Sequence, residues 1–150
     1  MGRFQRSAIM PYSAPDVYGL VNDVEQYPEF LKWCTASEIL EQTTDEMMVR
    51  MMFSAHGVTE SMVTRNRLVR DARISLVLVE GPFRHFSGYW TFTPIGNGCR
   101  VHLVLEFDLK SITLNVLSAP VLNRVADTLV DSFSQRAKAV LEPGLDLTSL

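Results

Sequence analysis

The sequence predicts one α+β domain, in which a curved antiparallel sheet wraps a long C-terminal helix. Three observations predict it. Apolar and polar residues alternate from Ala36 to Leu109, turn residues divide that stretch into short segments, and beyond Lys110 the apolar spacing lengthens to three or four. Short connections require antiparallel neighbours, because parallel pairs need long crossovers. A helix, then strands, then a helix is the α+β order.

The opening segment, Arg3 to Met10, reads as an extended strand that Pro11 ends. Ser13 then suits a helix N-cap, Pro15 the first turn, and Asp16 the positive end of the helix dipole. Val17, Leu20, Val21 and Val24 form the apolar stripe of that helix, and Pro28 is expected to break it. Tyr27, Phe30, Leu31 and Trp33 make an aromatic knot around the break.

Period-two segments follow at Ala36–Gln42, Met47–Ala55, Val58–Val69, Arg73–Val79, Phe86–Thr93 and Cys99–Leu109. The last is the clearest: Val101, Leu103, Leu105 and Phe107 alternate with Arg100, His102, Glu106 and Asp108. Turn signals separate the segments, among them His56-Gly57, Gly81-Pro82 and Asn97-Gly98. With the opening segment the sheet has seven strands. In the C-terminal helix Leu114, Leu117, Val121, Val125, Leu129, Phe133, Ala137 and Val140 form the stripe, while Arg124, Asp127, Asp131 and Lys138 lie off it. Pro120 is expected to divide this helix into a short piece and a longer one, and Glu142-Pro143-Gly144 to stop it.

The bulk numbers agree with one domain over residues 1–144 and a disordered tail over 145–150. At 150 residues, 47% hydrophobic and 21% charged, the chain has enough apolar content for a core without staples. A net charge of −3 gives no long-range attraction to nucleic acid, DNA included, or to anionic membranes, and with no apolar run of spanning length any membrane contact is expected to be peripheral. Cys34 and Cys99 stand far apart, which suits reduced thiols. No apolar run reaches spanning length and no secretory leader opens the chain, so the expected location is cytoplasmic.

A curved sheet gripping a helix rarely closes its interior, and the gap is a place for a ligand. Alternation makes Leu76, Leu78, Trp90, Phe92, Leu103, Leu105, Val125, Leu129 and Phe133 the wall candidates. The same residues equally suit a dry core. Met47, Met48, Met51, Met52 and Met62 add adaptable apolar surface.

The run Ala14-Pro15-x-Val17-Tyr18-x-Leu20-Val21-x-Asp23-Val24-x-x-Tyr27-Pro28-x-Phe30-Leu31-x-Trp33-Cys34 resembles the opening of the START-like polyketide-cyclase superfamily. Within it, the chain resembles the coenzyme-Q-binding protein and ribosome association toxin RatA family. Phe53 with Thr64-Arg65-Asn66, Glu80-Gly81-Pro82-Phe83 with Gly88-x-Trp90-x-Phe92-x-Pro94, and Val130-Asp131-x-Phe133-x-x-Arg136-Ala137 agree in order. The resemblance implies a helix-grip (START/Bet v 1-like) fold with a hydrophobic tunnel. It implies non-catalytic binding of ubiquinone or a related isoprenoid lipid in support of respiration, ubiquinone being a bound ligand and not a catalytic cofactor. As an alternative it implies association with the large ribosomal subunit that blocks subunit joining. Ser118-Ala119-Pro120 departs from the pattern by placing a helix breaker at the helical entry.

Arg65, Asn66, Tyr89 and Arg136 are candidates to meet a polar head group. Arg67, Arg70, Arg73 and Arg84 are candidates for RNA phosphates, with Arg65 in the same cluster and Asp71 among them; a solvated strand face is the competing reading. A cyclase-like enzyme is the third reading and needs an acid/base pair facing the cavity. His56 and His85 fall in connecting segments and His102 on a polar face, and they are scattered, which predicts no metal site. P-loop, H-E-x-x-H and G-x-G-x-x-G motifs are absent, so the expectation is a protein without enzymatic activity.

Overall fold

The computed structural model describes residues 2–55, 58–109 and 119–141. Strand β1 (Gly2–Met10) is followed by helix α1 (Ala14–Asn22) and a 3₁₀ stretch (Val24–Glu29). Then come β2 (Cys34–Gln42), β3 (Glu46–Ala55), β4 (Val58–Val69), β5 (Arg73–Glu80), β6 (Phe83–Ile95), β7 (Gly98–Leu109) and helix α2 (Ala119–Leu141). All seven strands form one antiparallel sheet in the order β1-β7-β6-β5-β4-β3-β2. The expected strands and their hairpin neighbours are present.

Curvature has a local cause. Register shifts interrupt β2 at Cys34/Ala36 and Ile39/Glu41, β5 at Leu78/Glu80, where Val79 is the extra residue, and β6 at Phe83/His85. Each extra residue bends its strand and increases the twist. Gly88 permits a further close approach, since a Cβ there would lie 2.3 Å from the Val104 carbonyl oxygen.

Several local expectations need correcting. The first helix stops at Asn22, so Pro28 sits inside the 3₁₀ stretch and does not end an α-helix. Ser13 caps α1 as expected, its hydroxyl accepting from the Asp16 backbone N–H at 3.3 Å. The β6–β7 hairpin turns on Gly96-Asn97, not on Asn97-Gly98, because Ile95 and Gly98 already pair. Gly96, with φ +57°, supplies the positive φ of the first central position in a two-residue turn. His85 lies in β6 and not in a loop, beside the Ser87 hydroxyl at 3.1 Å.

Pro120 is the second residue of α2, in the first turn, where its missing N–H breaks no helical bond. The expected shorter helical piece, with Leu114 and Leu117, lies outside the described residues, as do His56 and the 145–150 tail. The buried stripe of α2 runs through Ala126, Val130, Phe133 and Ala137, with Val125 and Leu129 half-buried at its margin. Val140, expected on the stripe, is 43% exposed. Arg124, Asp127, Asp131 and Lys138 face outward as expected. Arg6 of β1 clasps the helix: its guanidinium donates to the Asp127 carbonyl and meets the Asp131 carboxylate at 2.6 Å.

Phe133 is the hub where helix meets sheet. It is fully buried, with edge-on ring contacts to Tyr27 at 5.3 Å, Phe30 at 5.1 Å and Trp90 at 5.2 Å. Edge-to-face pairs of this kind add roughly 0.5–1.5 kcal/mol each beyond the area they bury. No helix among the described residues is long and apolar enough to cross a membrane.

Candidate functional site: an apolar cavity and an arginine edge

A cavity of about 170 Å³ lies between the concave face of the sheet, α2, the end of α1 and the 3₁₀ stretch. The inward positions of β3 to β7 form one wall, through Val49, Met51, Phe53, Met62, Ile74, Leu76, Phe86, Trp90, Leu103 and Leu105. Val125, Ala126, Leu129 and Phe133 of α2 close the other. A volume on the order of 150 Å³ accommodates one benzene ring. The cavity is therefore ring-sized in this conformation and does not enclose a whole isoprenoid quinone.

Of the wall candidates, Leu76, Trp90, Leu103, Leu105, Val125, Leu129 and Phe133 line this space, and Leu78 and Phe92 do not. Leu78 lies at the Gly81 turn, where a Cβ on Gly81 would come within 3.2 Å of it, next to the bulge that its own strand makes at Val79. Phe92 turns toward α1, its ring 5.6 Å from that of Tyr18, and fills core there. Of the expected methionines, Met51 and Met62 reach the cavity.

The head-group candidates separate by strand parity. Asn66 faces inward, 4% exposed, so its neighbour Arg65 must face out, where it pairs with Glu46 at 2.6 Å. Trp90 likewise faces in, which sends Tyr89 to the outer face beneath Arg73. Arg136 does not line the cavity; its guanidinium lies over the Phe30 ring at 5.1 Å, and its buried Nε has no hydrogen-bond partner among the described residues.

Ser54, Thr64 and Asn22 are polar lining positions that went unassigned in the sequence. Thr64 shares the inward face of β4 with Asn66, and its hydroxyl donates to Asn66 Oδ1 at 2.8 Å. Alternation from Asn66 would have found it. Asn22, at the end of α1, carries a buried Oδ1 without a hydrogen bond among the described residues, and no pattern in the sequence marks it. The one ionisable side chain among the described lining residues is Tyr27. Its hydroxyl donates to the Val21 carbonyl, and complete burial pushes its pKa far above the ordinary range.

The outer face of the same sheet is charged. Arg67 approaches Glu46 at 3.8 Å, Arg70 is exposed in the β4–β5 turn beside Asp71, and Arg73 stacks on the Tyr89 ring at 4.1 Å. Register extends this edge sideways. Arg73 lies opposite Thr91, Thr91 opposite His102, and Arg100 opposite Thr93. The other outward positions nearby are Ser75, Gln5, Ser7, Ile9 and Val104, none of them acidic. Arg84 does not join this group. It sits seven residues before Thr91 on β6, a separation of roughly 24 Å along the strand. Arg100 and His102 take the place expected for it.

Residues 10–134 match the family described as polyketide cyclase / dehydrase and lipid transport. The chain belongs to that family. Among its curated relatives is the ribosome association toxin RatA of Pseudomonas aeruginosa, 40% identical over 135 residues, which cover 89% of this chain and 94% of that protein. The coenzyme Q-binding protein COQ10 homolog B, mitochondrial, of Xenopus laevis is 23% identical over 89% of this chain and 57% of its own length. The crystal structure of the Zhui aromatase/cyclase from Streptomyces sp. R1128 superposes with a TM-score of 0.80 at 18% identity, covering 98% of this chain and 97% of that one. That likeness extends to the fold alone. The polyketide-cyclase family resemblance read from the sequence agrees with this match, and the expected architecture, a curved seven-stranded antiparallel sheet with a long C-terminal helix, is present.

Proposed function

We propose that this protein associates with the ribosome and inhibits translation, acting in the cytoplasm by binding the large subunit and blocking subunit joining. The sequence reading put a hydrophobic-ligand carrier first and ribosome association second; the relatives favour the second. The observation that carries it is the 40% identity to a ribosome association toxin along 89% of the chain. The edge formed by Arg67, Arg70, Arg73 and Arg100 supports it physically. Guanidinium forks suit phosphates, and counterion release makes such contacts strongly salt-dependent. Non-catalytic action fits the lining, whose one ionisable group among the described residues is a tyrosine committed to a backbone carbonyl.

Sedimentation with ribosomal subunits tests the proposal. Co-migration with the large subunit at low salt, lost at high salt, is the expected result. Absence of co-migration at low salt rejects it.

A second reading is favoured by the cavity itself: the protein holds an apolar ligand beneath α2. The apolar lining and the volume of about 170 Å³ suit a single ring, such as the head of a quinone, more than an entire isoprenoid chain. Native mass spectrometry of protein exposed to small aromatic compounds is expected to show one bound molecule. A protein that stays empty at saturating concentrations removes this reading.

A further inference from the structure

Thr64 and Asn66 are the feature of the cavity that apolar packing does not explain. Both are nine-tenths buried or more, at 7% and 4% exposure, and they stand two residues apart on the inward face of β4. Their neighbours across the sheet are Val49 and Met47 on one side and Leu78 and Leu76 on the other. Burying a carboxamide and a hydroxyl among such side chains costs free energy unless each finds partners. Their mutual hydrogen bond, at 2.8 Å, satisfies only part of that need. With Thr64 donating to Asn66 Oδ1, the amide nitrogen keeps two N–H donors and the hydroxyl oxygen keeps its lone pairs. With the amide turned over, the pair offers a carbonyl acceptor and an O–H donor instead. In either orientation one donor and one acceptor remain for whatever occupies the cavity. Asn22 Oδ1, buried and without a hydrogen bond among the described residues, adds a further polar atom to the same lining.

The geometry points to a ligand class: a neutral, ring-sized apolar molecule with one hydrogen-bonding group, a carbonyl or hydroxyl, seated against the Thr64–Asn66 pair. Three observations bound that class. The volume limits the enclosed part to about one ring. The described lining holds no arginine, lysine or histidine, so a carboxylate or phosphate would enter without a counter-charge. A purely apolar ring would leave the Thr64–Asn66 groups unmet. The inference rests on the cavity reading above and adds to it the polarity and charge of the occupant.

Three matched probes test it by ligand-detected NMR titration: ethylbenzene, acetophenone and benzoate. Ethylbenzene and acetophenone are expected to bind and benzoate is not. Replacing Asn66 with leucine (N66L) is expected to shift the acetophenone-to-ethylbenzene affinity ratio about tenfold toward ethylbenzene, one hydrogen bond's worth of discrimination. A measurement on the unaltered protein stands beside it, in case N66L does not fold. The infrared carbonyl stretch of bound acetophenone should lie below its position in alkane, as hydrogen bonding requires. An alkane-like stretch, an unchanged affinity ratio in N66L, or binding of benzoate as tight as that of acetophenone overturns the inference while leaving the cavity reading intact. Failure of both ethylbenzene and acetophenone to bind overturns the cavity reading itself, and the inference with it.

Discussion

The two faces of one sheet do opposite things with the same strands. On β4, Thr64 and Asn66 point into an apolar cavity while Arg65 and Arg67 point out to Glu46. On β6, Trp90 packs against Phe133 beneath the helix, whereas Tyr89 supports Arg73 in solvent. The period-two backbone makes this separation automatic: a change at one position touches one face and spares the other. Stability is concentrated on the inner face, where rings and aliphatic chains are sequestered. The outer face can change its charges at little cost to the fold, which leaves it free to carry recognition.

Substitutions that respect or violate this division sharpen the contrast. Phe133→Ala strikes the inner hub, and a loss of about 3–5 kcal/mol is expected in denaturant unfolding. Gly88→Val places bulk where a Cβ would meet the Val104 oxygen at 2.3 Å and Leu105 Cδ2 at 2.7 Å. It should cost about 1–3 kcal/mol through overpacking, read from the same unfolding curves.

A pH titration probes the inner face without mutation. Burial raises the Cys34 thiol from its ordinary 9.0 to about 11. A raised pKa means the folded state favours the neutral thiol. Its contribution is therefore complete below pH 9.0 and is lost as pH climbs through about 11. Cys34→Ala should flatten that alkaline decline in thermal scans.

Arg6→Ala cuts the clasp between β1 and α2. Its carboxylate partners are largely exposed, so the expected loss is about 0.5–1 kcal/mol, smaller still at high salt. Charge reversal at Arg67 and Arg73 should move stability least, by within about 0.5 kcal/mol in the same denaturant curves.

Strand number, hairpin order and the long helix were legible because each depends on periodicity, turn chemistry or both. Most of the cavity wall was legible for the same reason, since inward parity is a property of sequence. Leu78 and Phe92 escaped because parity says which face a side chain takes, not how far along the strand the cavity extends. A bulge in β5 and the packing of α1 decided those cases. Arg65 beside Asn66, and Tyr89 beside Trp90, could not all face one cavity, a constraint that parity imposes by itself. Arg100 and His102 became neighbours of Arg73 through the pairing of β5, β6 and β7, which is long-range information. The position of Asn22 depends on where α1 ends against the sheet, and the apolar stripe does not encode it.

In the proposed function the outer arginine edge, independent of the cavity, holds the protein on the ribosome. This role is tested most directly by one gradient-sedimentation experiment at low salt, comparing the natural protein, an Arg67→Glu/Arg73→Glu double variant and N66L. The natural protein and N66L are expected to travel with the large subunit, while the charge-reversed variant, folded to the same unfolding midpoint, stays at the top of the gradient. A charge-reversed variant that still co-sediments, or a natural protein that does not, contradicts that role.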